Sequence, residues 1–436
     1  LRDKEGIMGL ELLFKDVVLP PVARVRRSFR RDGIVDIRQA VWETMDASGI
    51  ASRLRKDGEV AVGVGSRGLG RLPEIVRATI DWFYAQGSRP FIIPTMGSHG
   101  GATAEGQRDV LAHLGVTEDS AGCPIRASMD VVQVGALPSG LPVYVDAIAA
   151  RTEAVFTIAR VKPHTGFKGP HESGIAKMLS IGFGKQVGAE SCHKLGFGAF
   201  AEIMPAMAEV ILDKLPNILG ALASVENAYD APCLLEAMPH EKMLERDVEL
   251  LRYARSRMPS LPSRQLDALI IDFMGKNISG PGMDPNITGR YLSGLKSDVH
   301  VNMLSVLDVT ECSQGNVNGI GAADFITKQL FDKINFEYTY TNTMTGTLTR
   351  NAAIPIYMPH DRGAISMAVK KGNPTDAPTR LVRIRDTLTL DRFYASPALL
   401  EELRGNPEYS VLGEPAPMCF DGNGMLMDKD RWDDFD

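Results

Sequence analysis

Short apolar runs that lead into glycine-containing loops, each followed by a helical stretch, constrain the fold of this chain most strongly. Residues 59–65 (EVAVGVG) and 90–94 have the character of buried strands, and residues 72–85 between them have helical spacing. A further helix is predicted to begin near Thr103, and residues 155–161 form a third predicted strand. Strands that alternate with helices are typical of an α/β fold with largely parallel sheets.

The same pattern predicts where a ligand binds. In parallel sheets, ligands bind at the loops beyond the carboxyl ends of the strands. Arg67, His99 and His164 each follow one of the three predicted strands. We therefore expect these three side chains to face one crevice.

A chain of 436 residues is long enough for two domains. Residues 258–264 (MPSLPSR) contain two prolines and two serines, which favours a domain boundary there. We expect an N-terminal catalytic and cofactor-anchoring domain of residues 1–260 and a C-terminal α/β domain of residues 261–436. The active-site cleft is expected between these two domains.

The second domain begins with a renewed strand pattern at residues 266–273 (LDALIIDF). Residues 275–290 then form a long Gly/Pro/Asn loop, and loops of this length inside compact domains are usually functional. Residues 320–335 are predicted to be helical and residues 354–358 to be a strand. The stretch from residue 415 onward is predicted to be an acidic surface tail.

Charge and cysteine content exclude several classes of protein. A net charge of −6 argues against general nucleic-acid binding, which needs a broad basic surface. The five cysteines are scattered and form no CxxC pair, so neither a disulfide framework nor a zinc ribbon is indicated. No apolar run approaches the length of a bilayer, and the first residues lack a signal-peptide pattern. We therefore expect a cytoplasmic protein that associates with no membrane.

Residues 160–194 (RVKPHTGFKGPHESGIAKMLSIGFGKQVGAESCHK) concentrate the chemistry. This stretch holds three of the eight histidines and six basic residues against two acidic ones, although the whole chain is net negative. Its six glycines let backbone N–H groups approach a ligand closely. Such a composition suits an anionic ligand that needs proton transfer or metal ligation. The alternative is a solvated basic loop with structural histidines.

Individual residues differ in how strongly they indicate a site. His99 lies among glycines in GSHGG, and His164 follows a proline at a strand end; both positions suit core packing poorly. Lys177 has small and apolar neighbours, which favour a desolvated, nucleophilic amine, although a surface lysine fits equally well. His193 is a candidate metal ligand. His171 fits a polar surface role as well as a functional one.

Familiar motifs are absent. The chain has no GxxxxGK[ST] phosphate loop, no HExxH helix and no GxSxG nucleophile elbow. GVGSRGLG resembles the dinucleotide motif GxGxxG only loosely. The acidic residue expected about twenty positions later would be Asp81, which lies inside a predicted helix, and this argues against a dinucleotide site.

Five polar positions, in order, resemble the lactate racemase family, the nickel-pincer-nucleotide-dependent 2-hydroxyacid racemases and epimerases. Arg67 in VGSRG resembles the arginine of the family's DHTRP segment, and His99 lies in a similar Gly-x-His loop. His164 follows the next strand, Lys177 comes thirteen residues later, and His193 a further sixteen. The second half is similar through GPGMDPNITGR and TECSQGNVNGIGAADF, so the resemblance spans most of the chain.

Three positions depart from the family's pattern. The aspartate of DHTR is replaced by Val64, and the glutamine and lysine that usually follow DPN become Gly289 and Leu292. Arg290 is the nearest cation to these last two positions. The departures indicate a divergent member whose substrate differs from lactate, or one without racemase activity.

The resemblance implies that a small 2-hydroxyacid is inverted through a 2-keto acid, because the cofactor reversibly accepts the C2 hydride that side chains cannot accept. It also implies cofactor-synthesis proteins as partners, and it leaves assembly into a homo-oligomer open. The implied roles are proton transfer for His99 and His164, covalent cofactor attachment for Lys177, phosphate binding for Gly182 and Gly184, nickel ligation for His193, and carboxylate binding for Arg67 and Arg290.

Two other functions fit the same residues. The first is a metal-dependent hydrolase with a three-histidine site made of His99, His164 and His193. The second is a non-catalytic binder of an anionic metabolite that keeps the fold and the basic cleft.

Overall fold

The computed structural model describes residues 9–66, 68–194, 196–344, 346, 348–375 and 377–435. These residues form two compact units. One consists of residues 30–258, and the other combines the chain up to Phe29 with the chain from Pro259 onward. None of the helices in these residues has the length and apolar character needed to cross a membrane.

The strands of the described residues are, in chain order, β1 (Val22–Arg27), β2 (Glu59–Val64), β3 (Arg89–Pro94), β4 (Val131–Ala136), β5 (Pro142–Asp146), β6 (Ala154–Arg160), β7 (Ile218–Glu226), β8 (Pro232–Pro239), β9 (Gln265–Met274), β10 (His300–Val309), β11 (Phe325–Thr327), β12 (Ile356–Met358), β13 (Leu381–Ile384), β14 (Arg392–Ala395) and β15 (Tyr409–Ala416). The α-helices are α1 (Ile37–Ala47), α2 (Leu72–Ala85), α3 (Ala104–His113), α4 (Glu118–Ala121), α5 (Ala147–Arg151), α6 (Ile175–Lys177), α7 (Lys185–His193), α8 (Phe200–Lys214), α9 (Met243–Arg257), α10 (Pro285–Thr288), α11 (Lys328–Asp332), α12 (Phe336–Met344), α13 (Asp361–Gly372) and α14 (Pro397–Leu403).

The unit of residues 30–258, called the five-stranded unit below, is built on a sheet of order β3-β2-β6-β7-β8. The first four strands are parallel and β8 is antiparallel to β7. Val60 and Val62 of β2 pack with helices α1 and α2, whereas Ala61 packs into the core that contains α8. Coverage of both faces explains why β2 is apolar at nearly every position rather than at alternate ones. Strands β4 and β5 form a separate antiparallel hairpin.

The other unit, called the eight-stranded unit, has the sheet order β12-β11-β10-β9-β13-β14-β1-β15. Strands β12 to β13 in this order are parallel, and the remaining neighbours are antiparallel. Helix α13 packs against β9 and β10 through residues such as Ala364 and Ala368. Two α/β units with largely parallel sheets confirm the predicted fold class.

The N-terminal segment differs from the sequence prediction, which placed residues 1–260 in one domain. Strand β1 (VARVRR) pairs with β14 and β15, so it belongs to the eight-stranded unit. Such long-range pairing leaves no trace in the local residue pattern. The later boundary between the units lies between Met258 and Pro259.

Two C-terminal predictions were wrong. Residues 320–335 do not form one helix, because buried Phe325–Thr327 joins the sheet as β11 and Thr327 then caps α11 by accepting a hydrogen bond from Leu330 N. The segment after residue 415 is not a surface tail throughout, because Trp432 and Phe435 are buried. Aromatic residues within an acidic segment were the signal that the sequence prediction overlooked.

Candidate active site

The loops that follow β3, β2 and β6 lie at one edge of the five-stranded sheet. These strands are adjacent and parallel, with Val64 of β2 opposite both Pro94 and Ile158. The predicted neighbourhood of three strand ends is therefore confirmed. His99 and His164 follow two of these ends. Arg67, which follows the third, lies outside the described residues.

His99 is exposed on a glycine loop. The loop needs left-handed backbone at Gly97, Gly100 and Gly101 (φ 60°, 68° and 63°), which glycine adopts without strain. The Nδ1 atom of His99 and Oγ of Ser66 are 2.5 Å apart, so the two side chains are hydrogen-bonded across the ends of β2 and β3. The ring is thereby oriented by the neighbouring strand end.

A π-helical turn, Met178–Gly182, follows Lys177 directly. The loops after β2 and β3 pack on this turn. A Cβ added at Gly65 would lie 3.3 Å from Met178 Sδ, and Gly97 N donates a hydrogen bond to Gly182 O (3.3 Å). The segment that carries Lys177 is thus in contact with the loops that carry Ser66 and His99. Single π-turns of this kind occur frequently at functional sites.

Lys177 and His193 come from different helices, α6 and α7, and interact electrostatically. The pKa of His193 is lowered by burial and by the positive charge of Lys177. The same charge acts on the Cys192 thiol, whose pKa burial nevertheless raises to about 12. Helix α7 also packs against the π-helical turn that follows Lys177, so the two residues lie on adjoining segments, and burial favours the neutral His193 imidazole.

A row of rings connects His164 to His193. The ring centroids of His164 and Phe167 are 4.4 Å apart, those of Phe167 and Phe200 are 5.2 Å apart, and those of Phe200 and His193 are 4.7 Å apart. Phe167 and Phe200 are buried. The two histidines therefore lie at the two ends of an apolar pair of phenylalanines.

The loop of His164 is held by Glu172, a buried carboxylate to which the sequence analysis assigned no role. Glu172 accepts hydrogen bonds from His164 N (2.6 Å) and Gly169 N (3.2 Å), and it pairs with Arg255 (2.6 Å). Within the loop, Gly166 N donates to His164 Nδ1 (2.9 Å). A backbone N–H can only donate, so the neutral His164 ring carries its proton on Nε2.

His171 has a structural environment. Its Nδ1 atom is 2.8 Å from Asp247 Oδ2, and both side chains are buried. Asp247 also accepts a hydrogen bond from Ile175 N (2.7 Å), so it caps the turn that carries Lys177. A Cβ at Gly174 would overlap with the Asp247 carboxylate. No local signal in the charged sequence of α9 indicated that Asp247 would be buried.

The glycines assigned to the cofactor have a packing role of their own. Gly182 and Gly184 are both buried. A Cβ at Gly182 would lie 2.9 Å from Thr95 O, and one at Gly184 would lie 2.6 Å from Ser180 O. Phosphate binding at these glycines stays a prediction.

Arg290 is engaged within its own unit. It pairs with Asp324 (2.7 Å) and donates to the carbonyl oxygens of Val301 (2.8 Å) and Asn302 (2.9 Å). Substrate binding by Arg290 requires it to exchange these contacts and stays a prediction. At the preceding position, Gly289 has φ 73° and a Cβ there would overlap with Val299 O, so a larger side chain does not fit.

Within the ranges that the structure describes, no three His, Cys, Asp or Glu side chains are grouped so that they could hold a metal ion. His99, His164 and His193 therefore do not form a three-histidine metal site. The alternative function of a metal-dependent hydrolase with a three-histidine site therefore loses its main support. A metal whose other ligands come from a bound cofactor needs only one histidine and is compatible with this arrangement.

Comparisons with known proteins found no matching protein-family model and no matching curated protein. A crystal structure of a Thermotoga maritima protein, determined in a structural genomics programme, is similar with 14% identity and a TM-score of 0.46 over 78% of this chain and 84% of that chain. The lactate racemase apoprotein of Thermoanaerobacterium thermosaccharolyticum is similar with 10% identity and a TM-score of 0.43 over 84% of this chain and 89% of that chain. Similarities at this level carry no argument about activity.

Proposed function

We propose that this chain is a racemase or epimerase of a small 2-hydroxyacid that uses a nickel-pincer nucleotide attached to Lys177. The observation that carries the proposal is the packing of the His193 helix against the turn that follows Lys177, because the sequence resemblance pairs these two residues as nickel ligand and cofactor anchor. His164 at the far end of the phenylalanine pair and His99 on the loop packed against the Lys177 segment complete the set.

The donor set fits the cofactor. Metal ligation needs a neutral imidazole, and burial beside Lys177 keeps His193 in that form. Lys177 is partly buried and directly precedes the π-helical turn on which the loops after β2 and β3 pack. When bound, the cofactor would accept the C2 hydride of the substrate and return it.

The histidines supply the proton transfer that this reaction needs. Neutral His164 presents an Nε2–H group, so it can donate a hydrogen bond to the substrate oxygen, and it would donate a proton only in its imidazolium form. His99, held through Nδ1 by Ser66, is the complementary base when its Nε2 atom is unprotonated. Phe167 and Phe200, both buried, supply an apolar surface between His164 and His193. Arg67 and Arg290 stay the proposed carboxylate-binding residues.

Intact-protein mass and nickel content test the cofactor assignment. Wild-type protein from a host that synthesises the cofactor should gain the cofactor's mass and one nickel ion, and Lys177→Ala should gain neither. Lys194→Ala, an exposed lysine seventeen residues on, is the matched control and should behave as wild type. Wild-type protein that is metal-free and of unmodified mass would contradict the cofactor assignment. The racemase proposal would then have no advantage over a non-catalytic binder of an anionic metabolite.

Variants of the histidines separate their roles. His193→Ala should lower nickel retention, whereas His99→Ala should retain nickel and lose turnover of whichever 2-hydroxyacid in a substrate panel is inverted. Turnover in D₂O should leave the C2 position unlabelled, because hydride is returned without exchange with solvent. Complete deuteration at C2 would indicate direct deprotonation and contradict the hydride route.

A further inference from the structure

A buried polar network lies directly beneath the His99 loop. Gln107 of α3, Lys185 of α7 and Asp146 of β5 are all fully buried. Lys185 Nζ forms an ion pair with Asp146 (2.9 Å) and donates to Pro94 O (2.5 Å) and to Gln107 Oε1 (3.3 Å). Pro94 is the last residue of β3, the strand that leads into the His99 loop.

Gln107 connects this network to the loop backbone. Its Nε2 atom donates to Gly97 O (2.8 Å) and to His99 O (3.3 Å). An ammonium group has no acceptor, so Lys185 can bond only to the amide oxygen of Gln107. The amide is therefore oriented with its N–H groups toward the two loop carbonyls. Rotation of the amide by 180° would place its oxygen against the carbonyl oxygens and its N–H groups against the ammonium group, so all of these hydrogen bonds would be lost.

The backbone of Lys185 supports the same interpretation. Lys185 has φ 53°, a left-handed conformation that is unfavourable for residues with a Cβ. Burial of an ammonium group is a second cost, and it lowers the pKa of Lys185 despite the nearby Asp146. An apolar residue at this position would avoid the cost of the buried charge, and a glycine would avoid both costs. Strained and buried polar groups that persist in a fold tend to serve a functional site.

We propose that the Lys185–Gln107 pair is a positioning device that fixes the backbone of Gly97–His99 and thereby sets the location of the His99 ring. The inference rests on the role of His99 in the proposed function. Ser66 holds the His99 ring through a hydrogen bond to Nδ1, whereas Gln107 holds the His99 backbone through a hydrogen bond to its carbonyl oxygen. Gln107 and Lys185 are positioning residues, because neither is required to touch the substrate.

Gln107→Glu is the sharpest test. The carboxylate has nearly the same shape as the amide and still accepts from Lys185, but it offers no N–H group to the loop carbonyls. Cofactor mass and nickel content should stay as in wild type. Hydrogen exchange at the amides of residues 97–101 should accelerate, and kcat should fall about ten- to a hundredfold with KM within threefold, as expected for a displaced catalytic group.

Two further variants keep the test decisive. Gln107→Met, which removes both hydrogen-bonding ends, should reproduce the effects if Gln107→Glu folds poorly. Leu111→Ala is the matched control, since Leu111 is the other buried residue of α3 and has no hydrogen bond to the loop. It should destabilise the protein while leaving loop exchange unchanged and kcat within threefold of wild type.

The outcomes separate this inference from the proposed function. Unchanged exchange at residues 97–101 in Gln107→Glu overturns the inference, whatever the enzyme's activity. Faster exchange with kcat equal to the Leu111→Ala control also overturns it, because the network then has no part in turnover. A third outcome is faster exchange in Gln107→Glu while the wild type acquires no cofactor and inverts no 2-hydroxyacid. That result supports the positioning role of the Lys185–Gln107 pair and rejects the proposed function.

Discussion

Both compact units bury a cation against an aspartate, Lys185 with Asp146 in the five-stranded unit and Arg383 with Asp272 in the eight-stranded unit. In the five-stranded unit the buried charges adjoin loops: Lys185 lies under the His99 loop, Glu172 holds the His164 loop, and Asp247 caps the Lys177 turn. Each of these three charged side chains forms a hydrogen bond with the backbone of a segment that carries or leads into a candidate site residue.

The eight-stranded unit uses its buried charges differently. Arg383 of β13 donates to Asp272 of β9 and to Asp428, and Trp432 Nε1 donates to Asp272 (2.9 Å). Lys429 pairs with buried Asp361 (3.2 Å). These contacts attach the C-terminal segment to the sheet. Among these groups, the buried charges of the five-stranded unit hold loops that carry candidate site residues, whereas those of the eight-stranded unit hold the C-terminal segment.

The largest expected effect is on stability in the eight-stranded unit. Arg383→Met leaves Asp272 buried without its cation, and we expect the free energy of unfolding to fall by about 3–5 kcal/mol. Urea unfolding measures the change. Arg385→Met, a half-exposed arginine two residues on, should change it by less than about 0.5 kcal/mol. Cofactor content should not change in Arg383→Met. A loss of cofactor equal to that of Lys177→Ala would contradict the inference that this buried pair serves stability and not the candidate site.

A smaller effect on stability, but a larger one on the site, is expected from Asp247→Asn. The change weakens the hydrogen bonds from His171 and Ile175, so the free energy of unfolding should fall by about 1–3 kcal/mol. Hydrogen exchange at residues 175–176 should accelerate, and cofactor loading at Lys177 should decrease. Glu245→Gln, at an exposed position of the same helix, is the control. If Arg383→Met accelerated hydrogen exchange at residues 175–176 as much as Asp247→Asn does, the effect on the site would not be specific to the buried charges that hold its loops.

The smallest expected effect is a pH dependence in the eight-stranded unit. His360 Nδ1 caps α13 by accepting from Gly363 N (3.1 Å), which requires an unprotonated nitrogen, and burial lowers the pKa of His360. The unfolded chain therefore binds this proton more readily, so the contribution is complete above about pH 6.5 and is lost as the pH falls below it. His360→Asn keeps a cap that does not titrate.

The stability difference between pH 7.5 and pH 5.5 should accordingly be smaller in His360→Asn than in wild type, by up to about 1 kcal/mol, the usual contribution of a helix cap. Comparing the two pH differences removes carboxylate titrations that both proteins share. An identical difference in the two proteins would show that protonation of His360 is not linked to unfolding.

The sequence predicts the five-stranded unit better than the eight-stranded one for a physical reason. Strands β2, β3 and β6 are apolar runs separated by helices, so their order and direction follow from local patterns. Strand β1 reads VARVRR and acquires its place only from partners in β14 and β15, which are hundreds of residues away. Nothing within the six residues specifies that pairing.

The same limit applies to the candidate site. His99 was identifiable among glycines and His164 at a strand end, whereas the roles of Lys177 and His193 came from their spacing in the family resemblance. Their supporting groups were not identifiable, since Gln107 and Asp247 occupy ordinary positions in polar helices and become significant only when tertiary packing buries them. A residue whose role depends on a distant partner carries no local signal.

The placement of β1 also bears on how the chain folds as it is synthesised. About 365 residues separate β1 from its partner strand β14, and the whole five-stranded unit lies between them. At ribosomal rates of about 5–20 residues per second, β1 therefore waits roughly 20–70 s for that partner. Residues 30–258 emerge completely during this interval. We expect the five-stranded unit to fold first, while β1 (VARVRR) remains a solvated cationic segment at the ribosome surface until the last strands appear.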